Sequence, residues 1–441
     1  MKRFLSLFLA CLMVVAVALT MASCENEEPA GDGTGLPYGF EGTKELAAQG
    51  AVNGVAPEIT GDVSKIKIGA ILIGDANEGY TKAHIDGITQ AAAQLGIQES
   101  QIVWKYSTPE NEEVTTRGEQ LIADGCNVVI TNSYGHQTYT LELASKHPEV
   151  QFIAMTGDLA ATSGLSNLSN AFTKVYESRY VAGVVAGMKL KELIDGGKLT
   201  DANYDGENVK IGYVGAFNFA EVMSGYTAFY LGVKSIVNNV VMDVHFTDSW
   251  YDFDKEKAAA ASLVESGCVI ISQHADSAGA PTAVEEAFNA GKTVYCVGYN
   301  VSMLDVAPNA ALTSATNVWS AYYSYAFATA INGGKIATNW SAGYKEGAVK
   351  ITELGSACAE GTQAKVDEVI AKLKSGELNV FDTSKFIVDG KTITWAYATD
   401  SDGDFAYDKN NVVADGYFHE SYVQSAPAFN LKIDGIRWLN K

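Results

Sequence analysis

Polar and aromatic side chains gather directly after several apolar runs of this 441-residue chain. In the first half they are Asp75, Asn77 and Tyr80, then Asn132, Ser133 and Tyr134, then Thr156 and Asp158. In the second half they are Phe217, Asn218, Phe219 and Glu221, then Gln273, His274 and Asp276, then Asn300 and Ser302. Carboxylates, amides and hydroxyls offer aimed hydrogen bonds, and aromatic rings offer flat apolar faces. This combination indicates reversible binding of a small polar molecule.

Signatures of covalent or metal chemistry are missing from the sequence. It has no GxSxG, SxxK or glycine-rich phosphate loop, and its six histidines do not fall into HExxH or a Cys/His spacing. The acidic run Asp400–Asp404 resembles a calcium loop, but Phe405 and Asn411 stand where that loop needs Gly and Glu. We therefore expect no catalytic residue, no metal and no cofactor. A nucleoside-processing hydrolase is a remote alternative. Such an enzyme would need an acidic cluster to hold a metal near one strand end, but Asp75 and Asp158 belong to different loops.

The charge balance excludes one class of partner. The formal net charge is −21, from 52 acidic and 31 basic residues. A chain with this excess of acid is not expected to bind nucleic acid through its net field, and the excess keeps it soluble.

A weak internal repeat supplies the elements that position these side chains. Apolar runs at 66–74 and 209–216, at 121–132 and 263–274, and at 151–157 and 293–299 form three pairs spaced by 142 or 143 residues. Both members of the middle pair read as a helix end, a Gly that suits a helix C-cap, and a buried strand. Helical patterns at 80–95 and 256–264 separate the strands.

Strands that alternate with helices predict parallel βαβ units. A duplicated unit predicts an α/β protein with two similar, doubly wound parallel-sheet lobes. Ligands of such sheets bind outside the carboxyl ends of the strands, so two facing lobes should enclose a ligand cleft there.

The segments that carry a family resemblance follow one another from about residue 67 to about residue 333. They are GDANEGYTKAHIDG, ITNSYG, VYESRYVAGVVAG, FNFAEV with Glu221, DSWYDFDKEKAAAASL, SQHADS, VGYN and TSATNVWSAYY. Their order and spacing resemble the basic membrane protein family of ABC-transporter substrate-binding lipoproteins. The branch they match is related to the purine nucleoside receptor A lipoproteins.

This resemblance implies a type I periplasmic-binding-protein fold, with lobes joined by several crossings. It also implies a monomeric binding protein, not an enzyme, that delivers its ligand to a membrane permease and ATPase. The expected ligand is a purine nucleoside or purine base. Riboflavin or another small solute is an alternative, and so is a receptor that presents its ligand to a sensor.

The resemblance also implies roles for individual residues. Tyr80 and Trp250 match the aromatic positions that stack on the base, and Asp75 and Asp276 match the carboxylates. The full set of expected ligand contacts is Asp75, Asn77, Tyr80, Ser133, Tyr134, Thr156, Trp250, Asp276, Asn300 and Trp319.

Two residues depart from the pattern of the branch. Asn300 stands where the branch often has an acidic residue, and Asn317 stands near the place of a Lys. The loss of an acidic residue together with a Lys leaves the local charge unchanged. It does alter the hydrogen bonds that can be made to the ligand. A free base is therefore a plausible ligand beside a nucleoside.

The N-terminus predicts export. Lys2 and Arg3 precede an apolar stretch at 4–20, and small residues precede Cys24. Residues 1–23 therefore predict a lipoprotein signal peptide, after which an acylated Cys24 would anchor the chain to a membrane on its extracytoplasmic side, in the periplasm or at the cell surface. Ordinary cleavage with an incidental Cys24 is the alternative.

The domain boundaries follow from these patterns. We expect an acidic flexible tether at 24–63, an N-terminal lobe at 64–172 with a return segment near 305–335, and a C-terminal lobe at 173–304. Residues 336–441 should form a C-terminal extension packed on the lobes, with a helix at 364–373 and a hairpin around Asp389-Gly390.

Overall fold

A computed structural model describes residues 45–397 and 411–441. The expected signal peptide, the expected lipid anchor Cys24, the first part of the tether and the acidic turn at Asp400–Asp404 lie outside the described residues.

The described strands form two large sheets and one small hairpin. In chain order they are β1 (Ile68–Ile71), β2 (Ile102–Lys105), β3 (Val128–Thr131), β4 (Gln151–Met155), β5 (Leu168–Ala171), β6 (Tyr204–Asp205), β7 (Asn208–Gly215), β8 (Val240–Phe246), β9 (Ile270–Gln273), β10 (Tyr295–Tyr299), β11 (Ala311–Asn317), β12 (Asn339–Trp340), β13 (Val349–Ile351), β14 (Val413–Ala414), β15 (Tyr417–Phe418) and β16 (Ile436–Trp438). The strands β1, β3 and β9 are buried along their whole length, as continuous apolar runs predict for sheets covered on both faces.

The described helices lie between and beyond these strands. They are α1 (Gly79–Leu95), α2 (Glu113–Ala123), α3 (Gln137–Lys146), α4 (Val175–Asp195), α5 (Ala220–Lys234), α6 (Phe253–Glu265), α7 (Gly279–Asn289), α8 (Trp319–Ile331) and α9 (Thr362–Ser375). Within the described ranges, none of them is both long enough and apolar enough to cross a lipid bilayer.

The two sheets confirm the repeat predicted from the sequence. The first has the strand order β12-β5-β4-β3-β1-β2, and the second contains β11-β10-β9-β7-β8, so the same order occurs in both. The predicted helix C-caps also match, because Gly125 and Gly267 have φ of 87° and 95° after α2 and α6. Cys126 N then donates to Leu121 O, and Cys268 N donates to Leu263 O.

The lobes exchange one helix each. Helix α4 follows β5 of the first lobe but packs on α5 of the second, where a Cβ on Gly183 would meet Phe229 O at 2.1 Å. Helix α8 follows β11 of the second lobe but packs on α1 of the first, where Gly87 lies against Trp319. The chain therefore crosses between the lobes after β5, after β11, and again between β12 and β13.

The return segment differs from the expected boundaries. Residues 311–317 form β11 of the second sheet, paired with β10, so the return to the first lobe begins only with α8. It continues to β12, which pairs with β5. A sequence pattern indicates that β11 is a strand but does not show which sheet it joins.

The tether also differs from expectation in its described part. Ala47 and Ala51 are buried, Ala47 N donates to Asn411 O at 2.7 Å, and Gly50 N donates to Tyr422 O at 2.9 Å. Ser341 N donates to Val52 O at 2.8 Å. These partners are hundreds of residues away, which local composition does not reveal.

The C-terminal extension packs mainly on the second lobe. Helix α9 covers the predicted helix at 364–373, and Asp389 and Gly390 both have positive φ, of 49° and 76°, as the predicted hairpin turn requires. The rings of Phe381 and Phe429 stack with centroids 4.3 Å apart. Strand β16 extends the second sheet beside β8.

Candidate functional site

A cavity of about 760 Å³ lies between the lobes at the carboxyl ends of the strands. Loops after β1, β3 and β4 line it from the first lobe, and loops after β7, β8 and β9 line it from the second. Eight of the ten predicted contact residues are in its lining: Asp75, Asn77, Tyr80, Ser133, Tyr134, Thr156, Trp250 and Asp276. The duplicated fold thus brings together side chains that are far apart in the sequence.

The loop after β1 presents two carboxylates in different roles. Asp75 is exposed, and its Oδ1 accepts from Asn77 N at 2.8 Å. Glu78 is the N-cap of α1, because its two oxygens accept from Tyr80 N at 2.7 Å and from Thr81 N at 2.8 Å. Asp75 is therefore not the residue that caps the helix, and its carboxylate faces the cavity.

The two predicted stacking residues enter from opposite lobes. Tyr80 packs edge-on against His84, with ring centroids 4.5 Å apart, and its buried hydroxyl has no hydrogen-bond partner among the described residues. Trp250 rests against Phe217 and Phe219, with centroids 5.1 and 6.2 Å apart. Two aromatic faces, both supported from behind, are therefore available to a flat ligand.

Asn300 does not line the cavity but holds a residue that does. Asn300 Nδ2 donates to Asp276 Oδ1 at 2.7 Å, and Asn317 Nδ2 donates to Asn300 Oδ1 at 3.2 Å. Thr173 Oγ1 donates to Asn317 Oδ1 at 2.5 Å. Thr173 and Asn317 sit at two of the crossings between the lobes, so this chain of hydrogen bonds leads from the crossings to a cavity carboxylate.

Trp319 also lies behind the cavity wall. Only 1% of its surface is exposed, and its ring stacks on His84 with centroids 4.4 Å apart. Its edge faces Tyr80 at 6.3 Å. Trp319 thus lies behind the lining and packs against Tyr80, because the exchanged helix α8 buries it against α1.

Ser133 and Tyr134 line the cavity while bonded to other parts of the first lobe. Ser133 Oγ donates to Glu110 Oε1 at 2.5 Å, and Tyr134 Oη donates to Asp158 Oδ2 at 3.2 Å. Both residues therefore line the cavity and also make contacts that hold the loop after β3.

The duplication extends to strained backbone at the strand ends. Ser107 and Asp248, which follow β2 and β8, have φ of 50° and 53°. Thr156 and Asn300, which follow β4 and β10, both have φ of 62°. Left-handed backbone at a residue other than Gly costs free energy and concentrates at functional sites. Both lobes therefore use the same strained turns to aim the loops that surround the cleft.

The lobes touch each other beside the cavity. A Cβ built on Gly79, at the start of α1, would lie 3.3 Å from Asp276 O and 3.7 Å from Asn300 Cβ. The first turn of a first-lobe helix therefore lies against the loops of the second lobe, and the cleft is closed on this side.

Glu221 and His274 form a polar pair in the second-lobe wall. His274 Nε2 and Glu221 Oε1 are 2.6 Å apart, and burial lowers the pKa of His274. Arg179 is buried nearby, with its guanidinium 3.5 Å from the ring centroid of the lining residue Tyr299. In the sequence, both residues come directly after apolar runs that predict strands, and this position marked them as candidate site residues.

The cavity wall is strongly acidic. It contains five carboxylates, Asp75, Glu78, Asp158, Glu221 and Asp276, whereas no Lys or Arg occurs among the described lining residues. Desolvation, reinforced by Glu78 and other nearby carboxylates, raises the pKa of Asp276 well above its usual range. Desolvation likewise raises the pKa of Glu78. Such a wall repels anions and accepts hydrogen bonds from neutral or cationic ligands.

The carboxylates do not group as metal ligands. Within residues 45–397 and 411–441, no three His, Cys, Asp or Glu side chains come together as a metal site would require.

Part of the lining comes from the C-terminal extension, which was not predicted. It contributes Gln424, Ala426, Pro427, Asn430 and Trp438. No sequence signal identified these residues, since they have no counterpart in the repeat and lie beyond the segments that carry the family resemblance.

Comparison with known proteins agrees with this architecture. The family model described as "ABC transporter substrate-binding protein PnrA-like" matches residues 66–384. A purine-binding protein of Brucella abortus is 29% identical over 318 residues, which cover 72% of this chain and 83% of that protein. A Haloferax volcanii protein that carries the name of a glucose-binding ABC transporter protein is 26% identical over 314 residues, 71% of this chain and 73% of its own.

Solved structures agree on the fold. An ABC transporter solute-binding protein from Conexibacter woesei superposes with a TM-score of 0.56 at 20% identity, covering 71% of this chain and 98% of that one. The predicted α/β architecture with two parallel-sheet lobes, the type I fold of periplasmic solute-binding proteins, is confirmed. The chain belongs to the PnrA-like family of ABC transporter substrate-binding proteins, an extracytoplasmic family that binds solutes and is not enzymatic.

Proposed function

We propose that this protein captures a purine nucleoside or purine base in the cleft between its lobes and delivers it to the permease and ATPase of an ABC importer. The observation that carries the proposal is the combination of aromatic faces and carboxylates in one cavity between the lobes. Tyr80 and Trp250 offer rings from opposite lobes, and five carboxylates accept hydrogen bonds. The name of the Brucella abortus relative points to the same ligand class.

The chemistry of a purine fits this wall. A flat heterocycle gains contact area and dispersion when it lies between aromatic rings. Its amino and ring N–H groups donate hydrogen bonds, and ribose hydroxyls donate as well, so Asp75, Glu221 and Asp276 are suitable acceptors. A phosphate would meet like charge and no basic side chain in the described lining, so the ligand should be a nucleoside or base and not a nucleotide.

Residues behind the lining contribute to binding indirectly. Asn300 orients the carboxylate of Asp276, and Trp319 buttresses the ring of Tyr80. Asn77, Ser133, Tyr134 and Thr156 complete the first-lobe wall.

The location follows from the N-terminal sequence. Cys24 is proposed to be acylated after removal of residues 1–23, which would tether a monomeric receptor to a membrane on its extracytoplasmic side. From that position the loaded protein can meet a permease in the same membrane.

The experiment that tests the ligand is calorimetric titration with adenosine, guanosine, inosine, their free bases, riboflavin and glucose. We expect a dissociation constant of about 1 μM or tighter for at least one purine, which corresponds to about −8 kcal/mol. Binding of riboflavin or glucose alone would overturn the purine assignment and favour another small solute.

A further inference from the structure

The cavity has a third wall, which is supplied by the C-terminal extension. Gln424, Ala426, Pro427 and Asn430 come from one short stretch, and Trp438 is the last residue of β16. All of them lie beyond residue 384, where the family match ends. This wall is therefore a feature of the C-terminal extension and not of the duplicated core.

The wall is fixed at its beginning to the first lobe. Ser425 N and Ser425 Oγ both donate to Asn339 Oδ1 at 3.3 Å, and Asn339 belongs to β12. Tyr422 O accepts from Gly50 N at 2.9 Å and from Ala51 N at 3.1 Å.

The end of the wall is held by other parts of the extension and, through Trp438, by the second lobe. Ala428 N donates to both carboxylate oxygens of Glu420, at 3.1 and 3.2 Å, and the ring of Phe429 stacks on Phe381. Trp438 Nε1 donates to Tyr226 Oη at 3.0 Å. Folded parts of the protein, not the ligand, therefore set the position of the segment, which makes it a preorganised contact surface.

Asn430 is the polar residue of this wall that is best placed for recognition. It is only partly buried, it lines the cavity, and its amide makes no hydrogen bond to a described residue. The carboxylates that line the same cavity can only accept hydrogen bonds when ionised, so an acceptor group on the ligand needs a different, neutral donor. An amide Nδ2 supplies such a donor.

We propose that the C-terminal segment is a specificity wall in which Asn430 donates to an acceptor of the ligand, such as a ring nitrogen or a carbonyl oxygen of the base. The proposal rests on the proposed function for the identity of the ligand. It adds a third contact surface that the two lobes do not supply.

The test uses the full chain, purified in detergent, and calorimetric titration with the same panel of nucleosides and bases. Asn430→Ala should weaken the preferred purine about fivefold or more, as the loss of a net hydrogen bond predicts, and should change the ranking within the panel. Asn430→Asp should weaken it further, because it removes the donor and adds a sixth carboxylate. Asn379→Ala, at an exposed Asn of the same extension, is the matched control and should bind as the unmodified chain does.

The outcomes separate the two proposals. Unchanged affinity and ranking in both Asn430 variants would overturn the specificity wall while leaving the purine function intact. Equal or tighter binding by Asn430→Asp relative to Asn430→Ala would overturn the donor role. If the unmodified chain binds no purine, the proposed function itself fails. Melting temperatures measured alongside should agree among all four proteins. If the melting temperature fell in every variant that lost affinity, Asn430 would instead have a role in stability.

Discussion

Asn300 Nδ2 donates a 2.7 Å hydrogen bond to Asp276 Oδ1, and through Asn317 it connects that carboxylate to Thr173 at a crossing between the lobes. All three hydrogen bonds in this chain point toward Asp276. The cavity carboxylate is therefore oriented by residues that also join the two lobes. Two of these residues, Asn300 and Asn317, are the positions at which the sequence is expected to depart from the pattern of the nucleoside-receptor branch.

Removing the Asn300 amide should weaken ligand binding. Asn300→Gly keeps the backbone conformation at φ 62° without strain but deletes the donor that stabilises ionised Asp276. Because the pKa of Asp276 is already raised by desolvation, it should rise further, and binding that needs the ionised form should require a higher pH. We expect about tenfold lower affinity at neutral pH, measured by calorimetry across a pH series.

The control for that experiment is Asn289→Ala, which removes an Asn that donates to Glu285 outside the cavity. Its affinity and pH profile should match those of the unmodified chain. An Asn300→Gly profile identical to the unmodified one would show that Asn300 does not support Asp276 in binding.

Trp250→Ala should lower affinity by about thirtyfold, or about 2 kcal/mol, through loss of a stacking face. The melting temperature should change little because Trp250 is only partly buried. Tyr106→Ala, at an aromatic residue 41% exposed and outside the lining, is the control. Unaltered affinity in Trp250→Ala would remove this residue from the site.

Glu420 should make stability depend on pH. Burial raises the pKa of its carboxyl to about 8, so the folded chain holds a proton that the unfolded chain releases near its ordinary pKa of 4.5. The free energy of unfolding should therefore fall as pH rises from about 4.5 to about 8, by at most about 1.4 kcal/mol per pH unit from this group. Glu420→Gln should flatten that slope in denaturant titrations at several pH values; an unchanged slope would mean that Glu420 does not hold the proton.

Cys24→Ala should release the protein from membranes, because acylation at this residue would be its anchor. Fractionation of cells that express the variant measures the effect. Cys11→Ala, within the expected signal peptide, is the control and should leave the protein membrane-bound. Membrane retention of Cys24→Ala would contradict the anchor.

The sequence predicted the duplicated core because buried parallel strands are continuous apolar runs that recur at a fixed spacing. It placed Asp75, Tyr80, Trp250 and Asp276 correctly in one cavity because strand-end loops of facing lobes must meet. It misplaced Trp319, whose type suits either a cavity or a core, because only the exchange of helices decides between them.

Contacts that depend on distant partners were beyond sequence patterns. Residues 45–54 read as tether, yet Gly50 pairs with Tyr422 of the C-terminal extension. Asn430 carries no local pattern that marks a binding residue, and its place in the lining depends on how the extension packs across both lobes. Asn300 was expected among the ligand contacts, but it lies behind the cavity lining, where it donates to Asp276.

We propose that the acidic, aromatic-walled cleft selects an uncharged purine. Calorimetric titration of the full chain with each purine nucleoside and with the matching 5′-monophosphate tests it most directly. We expect a dissociation constant of about 1 μM or tighter for a nucleoside or its free base. Binding of the monophosphate should be weaker by about a hundredfold or more, since five carboxylates and no Lys or Arg line the described cavity. Equal binding of the monophosphate, or no binding of any purine, would contradict it.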